Sequence, residues 1–89
     1  MRKQERQVLE NAITTVNSAL NYAIEKGEDF VSFKQYVNYT VNDLFGYASI
    51  QHRFAGMTEK EFDEFCKCVF SFKTVIEDRI NNLKENEKW

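Results

Sequence analysis

Only three positions in this chain, Gly27, Gly46 and Gly56, hold the residue type that most readily ends a helix, and there is no proline at all. A helix interior rejects proline outright, and glycine is the next least favourable residue there. The segments between the glycines are therefore free to be long helices. No stretch shows the strict alternation of apolar and polar residues that a half-buried strand needs. The expected fold class is all-α. It is a small antiparallel bundle of three main helices, the middle one kinked or broken near Gly46, formed by residues 1–89 as a single domain.

The first segment predicts a helix over roughly 2–26. Val8, Leu9, Ala12, Ile13, Val16, Ala19, Leu20, Ala23 and Ile24 fall within an arc of roughly 160° on a 3.6-residue wheel. Gln7, Glu10, Asn11, Thr14, Asn17, Ser18, Asn21 and Glu25 fill the opposite side. Lys26 ahead of Gly27 suits a stop, with a cation in the last turn and then a residue free to turn left-handed. Ala12, Ala19 and Ala23 leave room on one flank for a neighbour's larger side chains.

The second segment predicts a helix over 32–45. Ser32 and Gln35 fit a capping box, with Val31 and Tyr36 at the staple positions. Phe33, Val37, Val41 and Leu44 form its apolar stripe. Beyond Gly46 the stripe changes phase, and Tyr47, Ile50 and Phe54 read as a separate short helix over 47–55. The third segment has the clearest start. Met57, Thr58, Glu61 and Phe62 occupy the staple, cap, capping-box and staple-partner positions. Phe62, Phe65, Val69, Phe72, Ile76, Ile80 and Leu83 then recur at spacings of three and four. This helix is expected over 58–84, with a frayed tail at 85–89. Phe65, Val69, Phe72 and Ile76 are expected to pack against Val16, Leu20, Val37 and Leu44.

Twelve basic against fourteen acidic residues leave a formal charge of −2, which argues against a dedicated nucleic-acid binder. Every apolar run is broken within a few residues, so no membrane span is expected. Met1, Arg2 and Lys3 open a basic N-terminus with no apolar signal core behind it, which points to a cytoplasmic protein. Cys66 and Cys68 would point about 160° apart on a helix and cannot bridge each other. With His52 as the single histidine they lack the ligands for zinc, and they read as reduced thiols used as small hydrophobes. No phosphate loop, nucleophile–histidine pair or helical histidine pair is present. A small helical enzyme acting on a dicarboxylate needs converging cations, and none lies between Gln7 and Glu25. The expectation is a non-enzyme with no catalytic residue, no metal and no cofactor.

Three features carry the functional expectation. Lys73 falls inside the apolar face between Val69 and Ile76. Its stem can cover apolar surface while its ammonium reaches Glu77, or it is an interfacial cation awaiting a carboxylate such as Asp43. Thirteen of 89 residues are aromatic, more than one narrow core covers. Tyr22, Tyr36, Tyr39, Phe45, Phe54 and Phe70 lie on flanks or off the main stripes, and Tyr22, Tyr36, Tyr39, Tyr47 and Phe54 with Lys73 form a candidate interaction surface. Glu59, Glu61, Asp63 and Glu64 form an acidic patch, which reads as dipole-matched capping or as a surface for a basic partner. The chain is expected to be a small non-catalytic protein-interaction module, a homodimer that binds an unidentified protein partner. Its size and its Lys-, Asn-, Ile- and Phe-rich composition would suit an inhibitor or regulator from a phage or mobile element. The alternative is a nucleic-acid-binding regulator using Arg2, Lys3 and Arg6 brought together by dimer symmetry.

Overall fold

The computed structural model describes residues 1–89 as three helices, α1 (Lys3–Lys26), α2 (Phe30–Phe54) and α3 (Glu59–Glu85). α1 stops where its sequence predicts. Gly27 adopts φ 68°, its amide donates to the Ile24 carbonyl at 3.3 Å, and the Glu28 amide donates to the Ala23 carbonyl at 2.9 Å. That pair of bonds satisfies carbonyls the helix would otherwise leave open, and it needs the left-handed residue that glycine supplies.

α2 begins earlier than the Ser32 capping box implies. Asp29 is the cap: its Oδ2 accepts from the Ser32 amide at 3.0 Å and from the Ser32 hydroxyl at 3.2 Å. A carboxylate satisfies the free amide and also meets the positive end of the helix dipole, so it outcompetes a neutral hydroxyl three residues on. The expected break near Gly46 is also corrected, because residues 30–54 form one uninterrupted helix. An isolated glycine costs only about 1 kcal/mol against alanine in a helix interior. Here the flanking turns are held by the core, since Leu44 and Ala48 are both buried. Ala48 continues the stripe of Phe33, Val37, Val41 and Leu44. Its small side chain made the stripe seem to end, and Ile50 and Phe54 are solvent-facing residues of the same helix, not a new apolar face.

The turn into α3 is pinned from both sides. Gly56 takes φ 79°, and the His52 Nδ1–H donates to the Met57 carbonyl at 2.9 Å while the ring stacks on Phe62 with centroids 5.0 Å apart. The Thr58 capping box forms as predicted. The Glu61 amide donates to Thr58 Oγ1 at 3.1 Å, and the Thr58 amide donates to Glu61 Oε1 at 2.9 Å. The tail is not left loose. Glu87 takes φ 57°, and the Lys88 amide donates to the Leu83 carbonyl at 2.9 Å. This turn brings Trp89 back over α2. Its indole meets Phe30 edge-on at 5.5 Å and Phe33 at 5.2 Å, and its N–H donates to the Glu28 carbonyl at 2.9 Å.

The core stripes of the three helices meet along a rod of 45 × 19 × 18 Å. Val16, Leu20, Val37, Phe65, Val69 and Ile80 are fully enclosed. Phe72, Ile76 and Leu44 are buried with them, as the sequence predicts. Each such side chain withdrawn from water stabilises by about 1.5–3 kcal/mol before chain entropy is counted. α2 and α3 form the closest pair, and α1 lies further from both. The start of α1, the end of α2 and the start of α3 share one end of the rod, since Arg2 Nη1 donates to the Ala55 carbonyl and the Met1 ammonium meets Glu64. The start of α2 and the end of α3 share the other, clasped by Trp89. No helix is long and apolar enough to cross a membrane.

Candidate functional site

α1 and α3 stand far enough apart to leave a groove of about 530 Å³ along the side of the rod. Its floor is Leu9 and Ile13 from α1 with Phe72 and Ile76 from α3, and Val75 stands on its edge, 67% exposed. Leu9 and Phe72, at 7% and 8%, are the two core residues that keep the most contact with solvent. The core is thus thinnest here, where apolar surface is incompletely covered. At one end Arg79 Nη1 donates to Asn17 Oδ1 across the groove at 3.0 Å. Lys67 lines the other end, twelve residues earlier on the same helix, about 18 Å away along its axis. The ion pairs of the molecule join Met1 to Glu64, Arg2 to Glu5 and Glu61, and Lys73 to Glu77. Lys67 and Arg79 belong to none of them, and no carboxylate lines the groove.

The two thiols differ. Cys68 is exposed on the groove wall, while Cys66, about 160° round the helix, is partly buried away from it. Burial pushes the Cys66 thiol above its ordinary value, and the neighbouring Asp63 charge adds to this. Cys68 is the thiol that a reagent entering the groove meets first.

The flank residues singled out in the sequence separate into two groups. Tyr36, Tyr39, Ile50 and Phe54 are exposed along one side of α2, with Tyr39 at 70% and Phe54 at 80%. Tyr22 joins Tyr36 around a shallow hollow that also touches Ala19 and Phe33. Tyr47 does not belong with them. Its ring packs on Phe65 at 5.8 Å and its hydroxyl is buried, because the unbroken helix turns it towards α3. Lys73 lies with its ammonium 3.8 Å from Glu77 Oε1, the intrahelical pair that its spacing predicts. The acidic patch is half engaged: Glu61 closes the α3 cap and Glu64 holds the Met1 ammonium, leaving Glu59 and Asp63 to solvent. The Thr58 amide, followed by its hydroxyl, holds the Glu61 carboxyl below its ordinary value of 4.5.

One cluster escaped the sequence reading. Glu5 is fully buried and accepts a hydrogen bond from Arg2 Nη2, while Arg2 Nε lies 3.9 Å from Glu61 Oε2. The hydrogen bond to Glu5 raises the Arg2 pKa, and the charges of Glu5 and Glu61 act in the same direction. Glu5 Oε2, Arg2 Nε and the Tyr47 hydroxyl are buried without a hydrogen-bond partner in the chain. A signal existed: Glu5, Leu9, Ala12 and Val16 follow at spacings of four, three and four, so Glu5 sits on the apolar stripe, three residues from a cation. Comparison with known proteins finds no matching family model, no matching curated protein and no matching solved structure.

Proposed function

We propose that this chain is a small cytoplasmic binding module, an antiparallel three-helix bundle that acts by docking a partner protein and performs no catalysis. The observation that carries this reading is the apolar groove between α1 and α3, where Leu9, Ile13 and Phe72 keep a margin of apolar surface open beside the exposed Val75. The reading as a nucleic-acid binder has less behind it. Arg2, one of the three cations it needs, is held by Glu5, Glu61 and the Ala55 carbonyl.

Self-association is part of the proposal and is assigned to the exposed flank of α2. Tyr36, Tyr39, Ile50 and Phe54 offer aromatic and aliphatic surface to a second copy across a two-fold axis. Sedimentation equilibrium at micromolar concentration is expected to give twice 10.6 kDa. Tyr39→Asp with Phe54→Asp should return the monomer mass with helicity intact, and a monomer at every concentration in the unaltered protein would end the dimer. The docking reading is tested by affinity capture from the native host with the unaltered chain and with Val75→Asp. A partner retained by the first and lost by the second supports it. Identical recovery by both would remove the groove from the function.

A further inference from the structure

We propose that the α1–α3 groove takes a single acidic amphipathic helix of a partner protein, which lies along it as the fourth helix of a bundle. This rests on the reading of the chain as a docking module and names what docks. The shape fits. A helix is about 10–12 Å across with its side chains, and the open face lies between two helices that start at the same end of the rod. The floor is apolar and the groove wall runs about 18 Å between Lys67 and Arg79, a little over three helical turns. Leu9 and Phe72 lie at one level of the rod and Ile13 and Val75 at the next, about 6 Å on, so apolar residues at i and i+4 of a partner helix would seat on these two levels between the cations.

Charge selects the kind of helix. The charged side chains lining the groove are both cations, one at each end, in a chain whose net charge is −2. Neither is neutralised by a carboxylate of its own chain. Arg79 donates to the neutral oxygen of Asn17 and keeps its remaining donors free. Two carboxylates about eleven residues apart on a partner helix would meet both cations at once. A nucleic acid would have to lay its phosphates over the hydrocarbon between them. A fatty acid has one anionic head and would use one cation only.

The test uses three fluorescent helical peptides with the same leucine stripe, carrying Glu, Gln or Lys at the two positions that meet Lys67 and Arg79. The Glu peptide should bind tightest, by about twofold over Gln for each pair. In Lys67→Glu/Arg79→Glu the order should reverse, with circular dichroism confirming an intact fold. In Cys66→Ser, bound Glu peptide should slow alkylation of Cys68, which places it in the groove. Equal affinity for the three peptides would overturn the acidic helix while leaving the docking module standing. Failure of all three to protect Cys68 at millimolar concentration would overturn the helical occupant, and the host capture with Val75→Asp would then decide the module reading on its own. Protection of Cys68 that grows with protein concentration, with no peptide added, would place a second copy there and overturn the proposal.

Discussion

The two ends of the rod solve one problem with opposite chemistry. At each end, helix termini meet and their stripes run out. Where α1 starts and α2 ends, the chain closes the end with Arg2 and the buried Glu5, leaving Glu5 Oε2, Arg2 Nε and the Tyr47 hydroxyl without hydrogen-bond partners. Where α2 starts and α3 ends, it closes the end with Trp89 against Phe30 and Phe33, and the single polar atom of the indole is satisfied by the Glu28 carbonyl. The polar end holds its helices in one arrangement but carries desolvation that the pair only partly offsets. The aromatic end gains from area and ring geometry with nothing left unpaired.

The largest effect should come from unbalancing the polar end. Arg2→Ala strands a carboxylate with no exposure to water. Arg2 is itself about one-third exposed, so water screens part of the loss, which is still expected to be the largest of the series. Chemical denaturation measures it. Replacing both partners, Arg2→Met with Glu5→Leu, should restore stability or exceed it. If the double variant is as weak as the single, the pair contributes more than an apolar plug, and the contrast between the ends is wrong.

Next is the aromatic end. Trp89→Ala should cost about 2 kcal/mol, from part of a buried aromatic's area and two ring contacts. Trp89→Phe should cost about 1 kcal/mol, the indole hydrogen bond. A loss near zero for Trp89→Ala would mean that the clasp adds nothing and that α2 and α3 hold that end unaided.

Thr58→Ala, beside the polar end, should cost about 0.5–2 kcal/mol by removing the cap oxygen. The same cap gives an acid dependence. Glu61 titrates lower in the folded chain than in the unfolded one, so its stabilisation is complete above 4.5 and is lost as pH falls through the lowered folded value. Glu61→Gln, which keeps an acceptor for the Thr58 amide, should flatten the loss of stability below pH 4.5 in acid titrations followed by circular dichroism. An unchanged acid limb would show that other carboxylates set it.

The smallest effect lies between the ends. A methyl group at Gly46 meets nothing within 4 Å, so Gly46→Ala should stabilise by about 0.5–1 kcal/mol with no change at either end. Destabilisation would mean that α2 needs its glycine, and that the expected break near Gly46 has a physical basis after all.

The sequence by itself determined the three helical segments, the stop at Gly27, the start at Thr58 and the buried stripes, because caps and periodicity act within about one turn of the chain. The Lys73–Glu77 pair was legible for the same reason. The tertiary structure decided what depends on distant neighbours. Trp89 folded back over Phe30 and Phe33 where a frayed tail was expected. α2 ran through Gly46 because Ala48 fits into the core, and Tyr47 was drawn off the aromatic flank towards Phe65. Glu5 could be buried because Arg2 and the end of α2 arrive together. The groove follows from how far α1 stands from α3, a distance set by the packing of all three helices at once. No window of sequence contains it, since side chains with the same pattern pack into a closed face or an open one according to the spacing of the backbones behind them.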